Sequence, residues 1–190
     1  MDLTPTPSQT VGPYLHLGLT DTGSVPCIAG KGVKGERVWL TFRVLDGDSV
    51  PVPDAMIELW QADSEGNYKG TEGHGNSTVD GSFRGFGRMP TAEDGSCSFE
   101  TVKPGPVPGP GDTIQAPHIN VSIMARGLLK RLSTRAYFAG EPGNASDPVL
   151  ALIPENRRPT LLAQPDPTRA GGWIFEVRLC GEGETVFFDV

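Results

Sequence analysis

No stretch of the 190 residues approaches the roughly 18 consecutive apolar positions that a membrane-crossing helix needs. The opening MDLTPTPSQT carries neither the basic stretch nor the apolar core of a secretion signal, so a cytoplasmic protein is expected. Clustered basic residues are also missing. With a net charge of −7 and no run of Lys and Arg able to follow a phosphate backbone, nucleic acid is a poor partner. The three cysteines, Cys27, Cys97 and Cys180, are odd in number, far apart and outside any CxxC spacing. That excludes a disulfide framework or a zinc knuckle and leaves reduced, mostly structural thiols. No GxSxG, HExxH or phosphate-binding loop occurs, and the glycine runs lie in turns rather than between a strand and a helix as a dinucleotide fingerprint requires, so nothing supports nucleophilic catalysis. Glu93, Asp94, Glu182 and Glu184 read as ordinary loop or strand-edge groups. Internal repeats are absent, and helical periodicity nearly so.

What the chain has in excess is punctuation. Its 25 glycines and 18 prolines approach a quarter of the sequence, yet short apolar runs recur between them, the pattern of many turns joining many short strands. The length suits one domain with its own core. Residues 1–36 read as an irregular N-terminal arm, broken by Pro5, Pro7, Gly12, Pro13, Gly18 and further glycines. It is either an exposed tail or an arm laid across a partner, since Tyr14, Leu15 and Leu17 give it apolar surface. Residues 37–190 form the domain. Strands are expected at 37–45 and 55–62, joined as an antiparallel pair, then at 96–102, 118–126, 132–138, 173–179 and 185–190. Residues 63–88 read as a long glycine-rich loop containing His74, a solvated histidine, and 156–162 as a brief helical turn. The expected fold is all-β, an antiparallel β-sandwich of about seven or more short strands with long loops.

The chain is organised around residues 102–126, VKPGPVPGPGDTIQAPHINVSIMAR. Five prolines between Pro104 and Pro117 stiffen a loop that is neither helix nor central strand. From His118 strict alternation begins, with Ile119, Val121, Ile123 and Ala125 on one face and His118, Asn120, Ser122, Met124 and Arg126 on the other. His118 and Asn120 thus project together beside a rigid loop, where a site would sit. A carboxamide is a weak ligand for iron, copper or zinc, so a half-buried histidine bonded to a neighbour is the simpler reading.

Taken together, TPSQTVGPY, VPDAMIELWQAD, GFGR, VKPG, APHINVSI, ARG, RAYF, DPVL and GEGETVFFDV resemble the intradiol ring-cleavage dioxygenases, nearly end to end. The likeness is to the α chain of their heteromeric members. It implies a β-sandwich and a non-haem Fe(III) held by two tyrosines and two histidines of a related β chain, not by this one. On that resemblance Val107 stands where one ligand tyrosine would be and Gly109 where an aromatic residue would be. His118 keeps the first histidine, Asn120 replaces the second, and the other tyrosine falls near Gly75. These are degenerate positions, so the resemblance implies no catalytic residue and no metal in this chain. It implies instead that Gly12, Pro13 and Arg126 face substrate at the partner's iron, within a higher-order αβ assembly. The implied reaction is O₂-dependent cleavage of 3,4-dihydroxybenzoate between its hydroxyls to 3-carboxy-cis,cis-muconate. Arg126 has a second reading, as a structural arginine at the subunit interface. Composition alone also allows a non-enzymatic ligand-binding β-sandwich, and the roles of His16, His74 and His118 stay open.

Overall fold

Short alternating strands are the main regular element of the chain, and the computed structural model describes residues 5–70 and 82–190. The strands are β1 (Arg37–Leu45), β2 (Met56–Gln61), β3 (Phe86–Pro90), β4 (Ser96–Val102), β5 (Val107–Pro108), β6 (Ile114–Gln115), β7 (His118–Met124), β8 (Leu132–Phe138), β9 (Leu162–Pro165) and β10 (Gly172–Arg178). β1 shows why they form: Val38, Leu40, Phe42 and Val44 of RVWLTFRVL are fully buried, and the residues between them face outward. Phe42 meets Phe99 of β4 and Phe175 of β10 edge-on, with ring centroids 5.8 and 5.6 Å apart. Each such ring contributes roughly 1.5–3 kcal/mol by burial alone. β7 brings Ile119, Val121 and Ile123 into the same core.

Eight strands hydrogen-bond in the order β3-β2-β7-β8-β9-β10-β1-β4, and β5-β6 form a separate ribbon. All-β therefore holds, but the antiparallel sandwich does not describe this sheet, because β1 pairs β10 and β8 pairs β9 in parallel. Parallel neighbours need a crossover, which between β8 and β9 is supplied by short 3₁₀ turns at Pro142–Ser146, Leu150–Leu152 and Arg158–Leu161. The last of these is the helical turn expected at 156–162. β1 and β2 are not the expected pair: β1 lies between β10 and β4, and β2 between β3 and β7. Period-two patterning marks a strand without naming its neighbour. Nor do residues 185–190 form a strand. Only Phe188 bridges, to Ser133. β3, in turn, occupies part of the stretch expected to be loop.

The sheet curls until its edges β3 and β4 approach, and the gap between them is filled by a piece of the N-terminal arm. Val25 N–H donates to Arg88 of β3 (2.7 Å), while Ile28 N–H donates to Glu100 of β4 (2.9 Å) and Glu100 N–H to Pro26 (2.8 Å). Ile28 and Ala29 are fully buried in the main core. Gly87 of β3 makes the fit possible, since a Cβ there would lie 2.8 Å from Ile28 Cγ1 and 2.9 Å from Phe99 Cδ1. The arm thereby covers part of the β3 and β4 edges, which would otherwise be open to pairing with another chain. The halves are also tied by Gln61, fully buried at the end of β2, which donates to Val102 O (3.0 Å) and accepts from Thr101 Oγ1 (2.8 Å). Among the described residues no helix is long and apolar enough to cross a membrane.

Candidate functional site

Two regions hold the residues that the sequence singles out. The first is the outer face of β2, β7 and β8. Register places Trp60 and Arg135 on either side of Asn120, and Tyr137 opposite His118. His118, expected to be half-buried and bonded to a neighbour, is bonded but more deeply buried, 3% exposed, packed beside Tyr137, which belongs to a second apolar cluster with Ala116, Leu150 and Leu161. Its Nδ1–H donates to Ala116 O (2.7 Å) and its ring lies 5.5 Å from that of Tyr137. Burial, helped by the neighbouring Arg135 charge, pulls the imidazole pKa down to about 4, so the ring is neutral. The same burial pushes Tyr137 up to about 12. Tyr137 donates to Asp147 (3.2 Å), whose buried carboxylate also accepts from the backbone N–H of Ala116, Val149 and Leu150, each at 2.8 Å. Asn120 Nδ2 donates to Tyr68 Oη (3.3 Å), and Tyr68 stacks on Trp60 with ring centroids 6.2 Å apart. Val107, 5% exposed, sits in the β5-β6 ribbon opposite Gln115, whose Oε1 accepts from Arg135 Nη1 at 2.7 Å. Gly75 and His74 lie outside the described residues.

The second region lies beyond the far end of β7. The strand ends at Met124, and Arg126 sits in the following turn, where Leu128 N–H returns to Ala125 O and Gly127 takes φ +90°. The alternation expected to run through Arg126 stops short of it. The arm crosses this turn, with Thr10 Oγ1 accepting from Gly127 N–H at 2.7 Å, and then makes helical turns at Pro13–Leu15 and His16–Asp21. Pro13 begins the first of these, where its missing N–H costs nothing. Gly12, Pro13, His16, Asp54 and Arg126 consequently line one cavity of about 470 Å³. Arg126 is 76% exposed and only loosely held, its Nη2 3.8 Å from Asp54 Oδ2. A Cβ on Gly12 would meet nothing of this chain within 4 Å. Tyr14 and Leu17, 83% and 54% exposed, leave the arm's apolar side uncovered.

A family model described as "Dioxygenase" matches residues 11–181. The chain is 44% identical to the protocatechuate 3,4-dioxygenase alpha chain of Burkholderia cepacia, over 97% of each. This chain belongs to the intradiol dioxygenases. It is also 35% identical to the protocatechuate 3,4-dioxygenase beta chain of the same organism, over 80% of this chain and 67% of the relative. Among solved structures it is similar to the dioxygenase domain of a dioxygenase and carbohydrate-binding fusion from Streptomyces sp. SirexAA-E (TM-score 0.65, 27% identity, 94% of this chain and 99% of that one).

Intradiol dioxygenases depend on non-haem iron, and the donors among the described residues do not make up a ligand set for it. Val107 offers an alkyl group and Asn120 a weakly ligating amide, so the Nε2 of His118 is left as a lone donor, its Nδ1–H being held by Ala116 O. Among the described residues no three His, Cys, Asp or Glu side chains converge on one point. Sequence reasoning missed Asp54, Trp60, Tyr68, Arg135 and Asp147. Asp147 alone carried a local signal, an Asp-Pro opening a turn whose backbone N–H groups it then accepts.

Proposed function

We propose that this intradiol dioxygenase chain is the α, iron-free subunit of a heteromeric protocatechuate 3,4-dioxygenase, completing the substrate pocket of an Fe(III)-bearing β chain. The observation that carries this reading is the gathering of Gly12, Pro13 and Arg126 around one cavity, while the positions matching iron ligands hold Val107, His118 and Asn120. The ferric ion of the β chain supplies the activation of the catechol towards O₂, and the product is 3-carboxy-cis,cis-muconate. This chain supplies surroundings. Arg126, held by Asp54 at a distance that leaves its N–H groups available, presents a cation to the carboxylate that distinguishes 3,4-dihydroxybenzoate from catechol. Gly12 leaves room for a group from outside the chain, and Pro13, Leu15 and Leu17 form an apolar wall that excludes water once the partner docks.

Metal analysis and co-expression test this. The chain purified alone should hold no stoichiometric iron, and the pair purified with its β chain should be burgundy and cleave protocatechuate. One tightly bound iron per isolated chain, or a β chain equally active without this one, would sink the assignment.

A further inference from the structure

On the outer face of the β7-β8 pair lies a second cavity, of about 320 Å³, at the lower end of the roughly 300–1,000 Å³ typical of small-molecule sites. It shares no residue with the Gly12 and Arg126 cavity. Its cationic side is Arg131 and Arg135, and no Asp or Glu lines it, although the chain as a whole carries −7; Val190, whose main chain bears the terminal carboxylate and which is 85% exposed, lies at its rim. Arg131 makes no hydrogen bond or ion pair among the described residues, whereas Arg135 is steered by Gln115 and Tyr137 through one nitrogen, which leaves its other N–H groups unspent. Ser122 and Ser133, directly opposite in the β7-β8 register, add two side-chain hydroxyls with no partner among the described residues. The opposite wall is apolar, made by Val149 and Phe188. That wall is fixed rather than draped: Phe188 N–H donates to Ser133 O at 2.8 Å, and Thr134 Oγ1 to Val186 O at 2.7 Å.

We propose that this cavity is a binding site for a small organic acid, its carboxylate taken by Arg131 and Arg135 with the two serine hydroxyls and its flat apolar body laid against Phe188 and Val149. Two guanidinium groups outweigh the single terminal carboxylate at the rim and leave a net positive local field that attracts anions to an otherwise acidic protein, and planar N–H forks match carboxylate geometry. The rigid apolar wall favours an unsaturated or aromatic acid over a bare inorganic anion, because only the former buries surface there.

Titration calorimetry of the full chain with isophthalate, benzoate and inorganic phosphate tests this. Isophthalate should bind saturably, at least about tenfold more weakly to Arg131→Gln, which removes charge-assisted donors. Phe188→Ala should weaken isophthalate and leave phosphate unchanged, and Ser133→Ala should weaken all three ligands slightly. A wild-type chain that takes up no isophthalate, or an Arg131→Gln chain that binds it as tightly, overturns the site. Phosphate binding as tightly as isophthalate overturns the organic-acid assignment.

Discussion

His118 makes the stability of this chain depend on pH in a direction that the structure fixes. Its pKa falls from 6.5 in an exposed chain to about 4 in the fold, chiefly because burial penalises the imidazolium, with Arg135 adding repulsion. Between those values the unfolded chain binds a proton that the folded chain refuses. The neutral ring's contribution is therefore complete above pH 6.5 and is lost as pH falls towards 4, where both states become protonated. Each pH unit of displacement corresponds to about 1.4 kcal/mol, so the full effect is about 3 kcal/mol, and between pH 7 and pH 5 about 2 kcal/mol. Urea denaturation across that interval measures it. His118→Gln keeps an amide donor for Ala116 O but cannot titrate, so its unfolding free energy should decline less steeply by about 2 kcal/mol over the same interval. Comparing slopes cancels the carboxylates common to both chains. Parallel wild-type and His118→Gln profiles, or a folded-state His118 ring proton titrating near 6.5 by NMR, would refute the argument.

Further outcomes follow from the arm and its surroundings. Arg126→Ala in the assembled enzyme should lower kcat/KM for protocatechuate about 10- to 100-fold, the loss of one charge-assisted contact, and affect catechol far less. Equal losses on both substrates, or failure to assemble, would make Arg126 an interface residue instead. Deleting residues 1–18 should weaken the complex or its turnover yet barely move the thermal midpoint of the isolated chain, because the closing segment begins at Val25. Deletion through residue 30 should unfold it, and a fully active assembly lacking residues 1–18 would contradict the docking role. Gly87→Val should destabilise the chain by roughly 1–3 kcal/mol or more in chemical denaturation, since Ile28 and Phe99 occupy the space its side chain needs.

Individual strands are legible in this sequence, while their neighbours are not. Residues 37–45, 96–102 and 132–138 coincide with β1, β4 and β8 because each alternates through β-branched or aromatic residues and is bounded by turn chemistry. Partner choice depends on long-range contacts that no local window contains. The closing segment is harder still. Residues 25–30 contain Pro26 and Gly30 and bond to two different strands in turn, so they lack the run of alternating positions by which a strand declares itself. β3 was hidden for a related reason, since Gly87 is required by packing where strand propensity would reject it.

At the site, the pairing of His118 with Asn120 could be read from alternation, but its consequence required the crossover. Alternation divides β7 into an inner face that specifies the fold and an outer face that does not. Ile119, Val121 and Ile123 hold the inner face in the core whatever stands opposite. A change confined to the outer positions therefore removes chemistry at little cost to folding, provided each group left there is satisfied. At the altered positions it is: Asn120 reaches Tyr68, Arg135 reaches Gln115, and His118 is covered and bonded to Ala116, while Ser122 and Ser133 open onto a cavity that water can enter. That separation of faces lets one scaffold keep its core while its outer face changes. The proposed substrate contacts, Gly12, Pro13 and Arg126, lie on the arm and the turn beyond β7, clear of both faces.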